Sequence, residues 1–299
     1  MHKPAFLITI DTEGDNLWQK HDSITTENAR YLPRFQQLCE KYGFKPVWLT
    51  NYEMAIDPVY IEFAKDAIAR GTAEIGMHLH AWNSPPTDPL TDDDWRHKPY
   101  LIEYSDAAMR AKVDYMTRLL EETFQTKMVS HRAGRWAFDE RYARLLMEYG
   151  YLVDCSVTPR VNWKTAKGAP QGDGGTDYRH FPQHAYFLDE NDIRREGQSS
   201  LLEVPMSIQY KHPAWMNSLK QGYDRLRGKV RSPSVHWLRP MGGNVETMKK
   251  VVEQTLTQGN DYVEYMLHSS EYMPFFSWLA PQVKGMTLAE YYQQKRTQR

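Results

Sequence analysis

Ala5-Phe6-Leu7-Ile8-Thr9-Ile10-Asp11-Thr12-Glu13-Gly14-Asp15 is the stretch on which the reading of this 299-residue chain turns. Apolar and β-branched residues fill it up to Asp11, and carboxylates take over where the apolar run stops. A short apolar run closed by acid and glycine is the pattern of a buried strand in a parallel sheet, not of a strand with one wet face. Side chains two apart on a strand share a face, so Asp11 and Glu13 converge on one point while Thr12 looks elsewhere. Gly14 lets the chain turn directly after them. Sheets and barrels of alternating strands and helices assemble their chemistry at the carboxyl ends of strands. Read alone, the same acids would be ordinary turn residues.

The stretches that follow argue against that plain reading. A helix is expected from Thr25-Thr26-Glu27 to about Tyr42, with Pro33 near its first turns and Gly43 as its stop. Pro46–Thr50 reads as a second strand, and Pro58 to Arg70 as a helix closed by Gly71. This alternation argues for parallel pairing. The third strand, Ala73-Glu74-Ile75-Gly76-Met77-His78-Leu79-His80, repeats the two-residue rule with His78 and His80. Imidazoles and a carboxylate are the usual ligands of a catalytic zinc, which keeps an open position for water. A lone histidine is more often a satisfied structural residue. Two on one strand face, in a sheet whose first strand ends in two inward carboxylates, point to a metal site.

Ala81 to Leu101 reads as a loop that walls a cleft, with Asp92-Asp93-Asp94 as a solvated helix start. Ser105 is placed to cap a helix from Asp106 to about Phe124. The strand Lys127–Trp136 then delivers basic residues at its end. There Arg132 either holds a catalytic carboxylate ionised or makes an ordinary ion pair. Asp139–Tyr149 reads as a helix, and Tyr151–Val157 as a strand with Asp154 facing inward. A long loop from Thr158 to His180 follows, then a strand over Leu201–Pro205. The basic run Lys220–Arg231 reads as a solvated helix face, with contact to an anionic ligand as the alternative. Asn244–Thr257 reads as an amphipathic helix. The last strand, Tyr262–His268, places His268 like a proton donor. Trp82 and Trp136 offer flat apolar area for a sugar face, and with Arg135 they are the candidate substrate contacts.

Composition bounds what such a site can serve. Hydrophobic residues make up 41% of the chain and aromatics 13%, ample for a large core. Charge is balanced, 37 basic against 38 acidic residues, which does not favour a nucleic-acid partner. No window approaches the roughly 18 apolar residues of a membrane span. The apolar run after Lys3 is too short and wrongly flanked for a signal peptide, so the expected location is cytoplasmic. Two cysteines, Cys39 and Cys155, are too few for a disulfide framework or a cysteine zinc cage and read as buried thiols.

Taken in order, five of these stretches resemble the polysaccharide deacetylase family, the carbohydrate esterases with a NodB-type homology domain. They are Thr9-Ile10-Asp11, Glu74-Ile75-Gly76-Met77-His78-Leu79-His80, His131-Arg132-Ala133-Gly134-Arg135, Asp154-Cys155-Ser156-Val157 and Met266-Leu267-His268. In detail they look most like the branch associated with lipopolysaccharide biosynthesis. The resemblance implies an α/β fold, a distorted (β/α) barrel of about seven parallel strands, as one domain over 1–299 with insertions near 82–104, 158–180 and 209–260. It also implies a hydrolase that uses a divalent metal, zinc by preference, to remove an N-acetyl group from a sugar of a bacterial surface polysaccharide or its precursor.

By the same resemblance Asp11 is the general base, His268 the general acid, Arg132 the tether of Asp11, and Asp154 the residue that orients His268. Two departures matter. The family's second aspartate, a metal ligand, is Thr12 here, and Glu13 on the correct face is the substitute. The family's second metal histidine falls at Trp82, so either His80 serves from the strand, completing a Glu13, His78 and His80 ligand set, or the site has only one imidazole and a weaker metal. Two alternatives accompany this reading: a catalytically altered carbohydrate-binding barrel, and a metal-free glycosidase using Asp11 and Glu13 as its paired acids.

Overall fold

The apolar run at the N-terminus becomes an eight-residue strand, Ala5–Thr12 (β1), with every residue buried. It sits inside a sheet because it is bonded on both edges. The computed structural model describes residues 3–19, 23–213, 216, 227, 234–240, 245–267 and 273–299. Its further strands are β2 (Pro46–Thr50), β3 (Glu74–Leu79), β4 (Ser130–Ala133), β5 (Val153–Asp154), β6 (Tyr186–Phe187), β7 (Leu202–Glu203), β8 (Ile208–Tyr210), β9 (Val235–Trp237), β10 (Tyr262–Leu267) and β11 (Lys284–Gly285). In the main sheet the order is β10-β1-β2-β3-β4-β5-β7-β6. Every pair from β10 to β7 is parallel, and only β6 runs against its neighbour. Helices connect these strands, so the sheet curls as the distorted (β/α) barrel expected.

Among the described residues no ladder closes the barrel. Between β7 and β10 individual groups make the join: Tyr262 Oη donates to the Pro205 carbonyl at 2.7 Å, the Glu264 N–H to Ser207 Oγ at 2.9 Å, and the Met266 N–H to the Leu238 carbonyl at 3.2 Å. Beside this seam β8 and β9 form a separate antiparallel pair.

Helix boundaries follow the expected punctuation. Pro33 sits in the first turn of Leu32–Lys41, after a 3-10 turn at Glu27–Tyr31, and so does not break it. Asp57 caps Pro58–Ala69 by accepting from the Tyr60 N–H, and Ser105 caps Asp106–Phe124 by accepting from the Ala108 N–H. Asp139 caps Glu140–Glu148 in the same way. Of the acidic triplet, Asp93 caps the short helix Asp94–His97. Asp94 itself is buried rather than solvated, and accepts from Leu90, Thr91 and the Tyr104 hydroxyl.

The later strands are shorter than the sequence suggests. Tyr151–Val157 narrows to Val153–Asp154, and Leu201–Pro205 to Leu202–Glu203. Buried side chains take the amides that a longer ladder would use. Asp154 Oδ2 accepts from the Ser156 N–H, Glu203 Oε1 from the Val157 N–H, and Ser156 Oγ from the Ala133 N–H. Cys39 and Cys155 are both buried and unpaired, as expected. Among the described residues, no helix is long and apolar enough to cross a membrane.

Candidate metal centre

Glu13 follows directly on β1, and His80 directly on β3 with His78 inside it. β1 and β3 are not neighbours, because β2 lies between them. The curl of the sheet nevertheless brings their ends together. Glu13 Oε1 lies 2.9 Å from His78 Nε2 and 2.6 Å from His80 Nε2. Ligand atoms of the three residues all fall within 4.8 Å of one another, and all three residues are buried. Trp18 Nε1 donates to Glu13 Oε2 at 2.8 Å, which orients the carboxylate with Oε1 toward the imidazoles. The turn after Glu13 is pinned by Glu53, which accepts from the Gly14 N–H at 2.7 Å and from Asn83 Nδ2 at 2.7 Å. On the far side, a Cβ on Gly134 would lie 2.6 Å from His80 Nδ1, so only glycine lets the chain after β4 pass this close to the ring.

Protonation states test whether a cation fits. His78 Nδ1 lies 2.9 Å from the Arg132 carbonyl, which can only accept, so Nδ1 carries the proton. In a neutral ring Nε2 is then a bare acceptor, and it faces the Glu13 carboxylate oxygen. Acceptor against acceptor in a buried site is unfavourable. Protonating His78 alone, with neutral His80 donating from Nε2, satisfies Glu13 Oε1 but leaves the buried His80 Nδ1 without a hydrogen-bond partner. Burial would lower the His78 pKa, but the charge of Asp11 and the Glu13 hydrogen bond raise it above its ordinary value. For His80 burial wins, and its pKa is lowered. Burial pushes the Glu13 carboxyl up, yet the two imidazoles hold it well below the ordinary carboxylate range. One carboxylate and two imidazole nitrogens meeting at Nε2, Nε2 and Oε1 form the donor set of a three-ligand zinc site, with the backbone carbonyl of Arg132 fixing one tautomer. The residues therefore fit a divalent cation.

Arg132 is the hub beside this cluster. Its guanidinium is fully buried and donates to Asp11 Oδ1 at 2.6 Å, Thr9 Oγ1 at 2.6 Å, Glu264 Oε1 at 2.5 Å and the Cys155 carbonyl at 3.1 Å. One cation thus serves two carboxylates. Burial opposes its charge, but those neighbours raise its pKa above the ordinary guanidinium range. Burial likewise pushes the Glu264 carboxyl up to about 7. The contact between Arg132 and Asp11 is the one the family resemblance implies.

The remaining candidates fall in different places. Asp154 is bonded to His131, with Nδ1 to Oδ1 at 2.6 Å, and the other ring nitrogen of His131 lies 2.7 Å from Tyr142 Oη. Its expected partner His268 lies outside the described residues. So do Asn244 and, apart from Arg227, the basic run Lys220–Arg231. A pocket of about 240 Å³ opens at the barrel mouth, lined by Asp11, Glu13, His78 and His80 together with Trp18, Tyr100, Trp136 and Trp163. Trp136 lines it, as expected of a substrate contact. Trp82 is not among the lining residues; it is buried, its ring 4.3 Å from that of His80 and 5.4 Å from that of Trp18. Arg135 reaches the lining, but its guanidinium is taken up by the Lys98 and Lys167 carbonyls. Of the residues not anticipated, Glu264 and Glu203 had a visible signal, since each is a lone charge inside an apolar strand. Trp18 had none.

No protein-family model matches the chain. No curated protein matches it in sequence. Solved structures match in fold. A protein assigned as a polysaccharide deacetylase from Mycobacterium smegmatis superposes with a TM-score of 0.61 at 15% identity, over 100% of this chain and 92% of that one. A protein assigned as a glycoside hydrolase/deacetylase from Parabacteroides distasonis gives 0.60 at 9% identity, over 99% of this chain and 72% of that one. The 4-alpha-glucanotransferase from Thermococcus litoralis gives 0.52 at 11% identity, over 97% of this chain and 38% of that one. At such identities the likeness establishes the fold alone, a curled parallel sheet with helices of the kind found in polysaccharide deacetylases.

Proposed function

We propose that this chain is a divalent-metal-dependent carbohydrate N-deacetylase of the polysaccharide deacetylase family. The observation that carries the reading is the convergence of Glu13 Oε1, His78 Nε2 and His80 Nε2, one carboxylate oxygen and two imidazole nitrogens, on a single point at the pocket. Glu13, His78 and His80 hold the metal, zinc by donor type. When bound there, it supplies Lewis acidity, polarising an acetamide carbonyl and lowering the pKa of water from 15.7 toward roughly 7. Asp11 is the general base that accepts the proton of the attacking water. Arg132 keeps it ionised and oriented through the 2.6 Å bond to Oδ1. The departing amine takes its proton from His268, which follows β10 in sequence. A base and an acid of this kind each contribute about 10² to 10⁴ in rate.

The substrate in this reading is an N-acetylated sugar of a bacterial surface polysaccharide or its precursor, handled in the cytoplasm. Its lipopolysaccharide character rests on the motif resemblance alone. A metal-free glycosidase is disfavoured by geometry, because Asp11 is held by Arg132 and Glu13 by the two imidazoles, so the pair cannot flank a bond from two sides. A barrel that has lost its reaction is disfavoured because Glu13 and His80 complete the donor set despite Thr12 and Trp82. The test is to incubate the zinc-loaded protein with a panel of N-acetylated sugars and glycans and to measure acetate. Metal-dependent release is expected. Absence of acetate from every member, or absence of metal binding, overturns the proposal.

A further inference from the structure

We propose that the pocket accepts a single N-acetylated sugar at the end of its chain, or free, rather than a residue in the interior of a polysaccharide. This rests on the deacetylase reading and concerns which part of the glycan enters. Two insertions that the sequence marks as loops are stitched together against the site. Tyr100, from the insertion after β3, donates its hydroxyl to the Ala166 carbonyl at 2.8 Å. Arg135 donates to the Lys98 carbonyl on one side and to the Lys167 carbonyl at 2.8 Å on the other, with its guanidinium 4.1 Å from the centre of the Tyr100 ring. The Glu103 carboxylate adds a further tie, accepting from the Tyr100 N–H at 2.7 Å and the Ala169 N–H at 3.0 Å.

Tyr100, Arg135 and Ala166 line the same pocket as Glu13, His78 and His80. The stitched segments therefore form part of the wall of that pocket. A glycan extended through that part of the wall would have to break these bonds.

Pocket size agrees. About 240 Å³ lies below the roughly 300 Å³ at which ordinary small-ligand pockets begin, in keeping with one sugar seated in it. Trp18, Tyr100, Trp136 and Trp163 gather around that one volume, as for one sugar held from several sides. Backbone strain points the same way. Arg135 and Trp136 are consecutive non-glycine residues with φ of 55° and 64°. Such residues persist only where surrounding structure over-determines them. Here they turn Arg135 onto the two insertions and Trp136 onto the pocket.

The amide hydrolysis this allows breaks one C–N bond, adds one water, and releases one acetate and one amine per glycan chain. The test uses the zinc-loaded full chain with N-acetylglucosamine and its β-1,4-linked dimer, trimer and hexamer. Mass spectrometry counts acetyl groups lost, and quenching of tryptophan fluorescence measures binding. Loss of one acetyl per oligomer at every length is expected, with affinity changing less than threefold from monomer to hexamer. Arg135→Ala should release more than one acetyl from the hexamer. Tyr100→Phe keeps the ring, removes only the tie to Ala166, and should shift the count in the same direction if Arg135→Ala does not fold. Several acetyl groups lost from the hexamer by the unaltered protein overturn the inference, as does affinity rising tenfold or more with length. Failure of every length to quench also overturns it. Quenching that is flat with length but without acetate sinks the deacetylase reading and leaves the one-sugar pocket standing.

Discussion

Among the described residues two carboxylate–imidazole clusters of this barrel invite comparison, built from the same residue types and differing in how completely protein atoms satisfy them. In the inner one, His131 has Asp154 on one ring nitrogen and Tyr142 on the other, and both His131 and Asp154 are fully buried. Every ring nitrogen has a partner. At the mouth, Glu13 Oε1 faces two imidazole nitrogens, His80 Nδ1 has no hydrogen-bond partner, and the cluster lines a pocket. Histidine and acid side by side therefore do not by themselves identify a metal site. What separates a ligand set from a structural pair is an unresolved donor and acceptor count at a place a ligand can reach.

The contrast can be broken by exchange of outcomes. His78→Ala carries the largest expected effect: bound zinc should fall to background by elemental analysis, with acetate release lost alongside it and the fold retained by circular dichroism. Unchanged metal content would move the mouth cluster into the structural class. Asp11→Asn should keep the metal while turnover falls about 10²- to 10⁴-fold. Near-full turnover in that variant would remove Asp11 from the reaction.

The inner cluster should respond in the opposite way. His131→Phe leaves Tyr142 and one Asp154 oxygen without their ring partner, which costs about 1 to 3 kcal/mol in denaturant unfolding and leaves zinc content unchanged. Metal loss without destabilisation would make His131 a ligand. The smallest effect is a slope. Burial raises the Glu264 carboxyl from 4.5 to about 7, so the folded state binds a proton there that the unfolded state has released. Its contribution is present below about 4.5 and is lost as pH rises through about 7. Thermal midpoints should therefore fall across that window, and Glu264→Gln should flatten the fall. An unaltered slope in the variant would show that Glu264 does not titrate there.

Legibility in the sequence divides along the same line. β1 to β4, their helices and the shared faces of Asp11 with Glu13 and of His78 with His80 follow from local periodicity, because strand alternation needs no knowledge of neighbours. The contact of Arg132 with Asp11 was implied by the family resemblance alone, since the residues by themselves left a catalytic tether and an ordinary ion pair equally open. Asp154 faces inward as expected and meets His131, a pairing that depends on β4 lying beside β5, while its expected partner His268 lies outside the described residues. The shortened strands escaped notice because buried acids competing for amides leave no trace in hydropathy.

What the sequence alone determined was the kind of protein: alternating strands and helices, with acids and imidazoles at strand ends on one side. These are properties of residues two to four apart. Which groups meet was decided only by the curl of the sheet, which carries Glu13 past β2 to His78, 65 positions away, and sets Arg132 between Asp11 and Glu264, 121 and 132 positions away. Strand order and curvature are set by the packing of the whole sheet, and no local pattern encodes them.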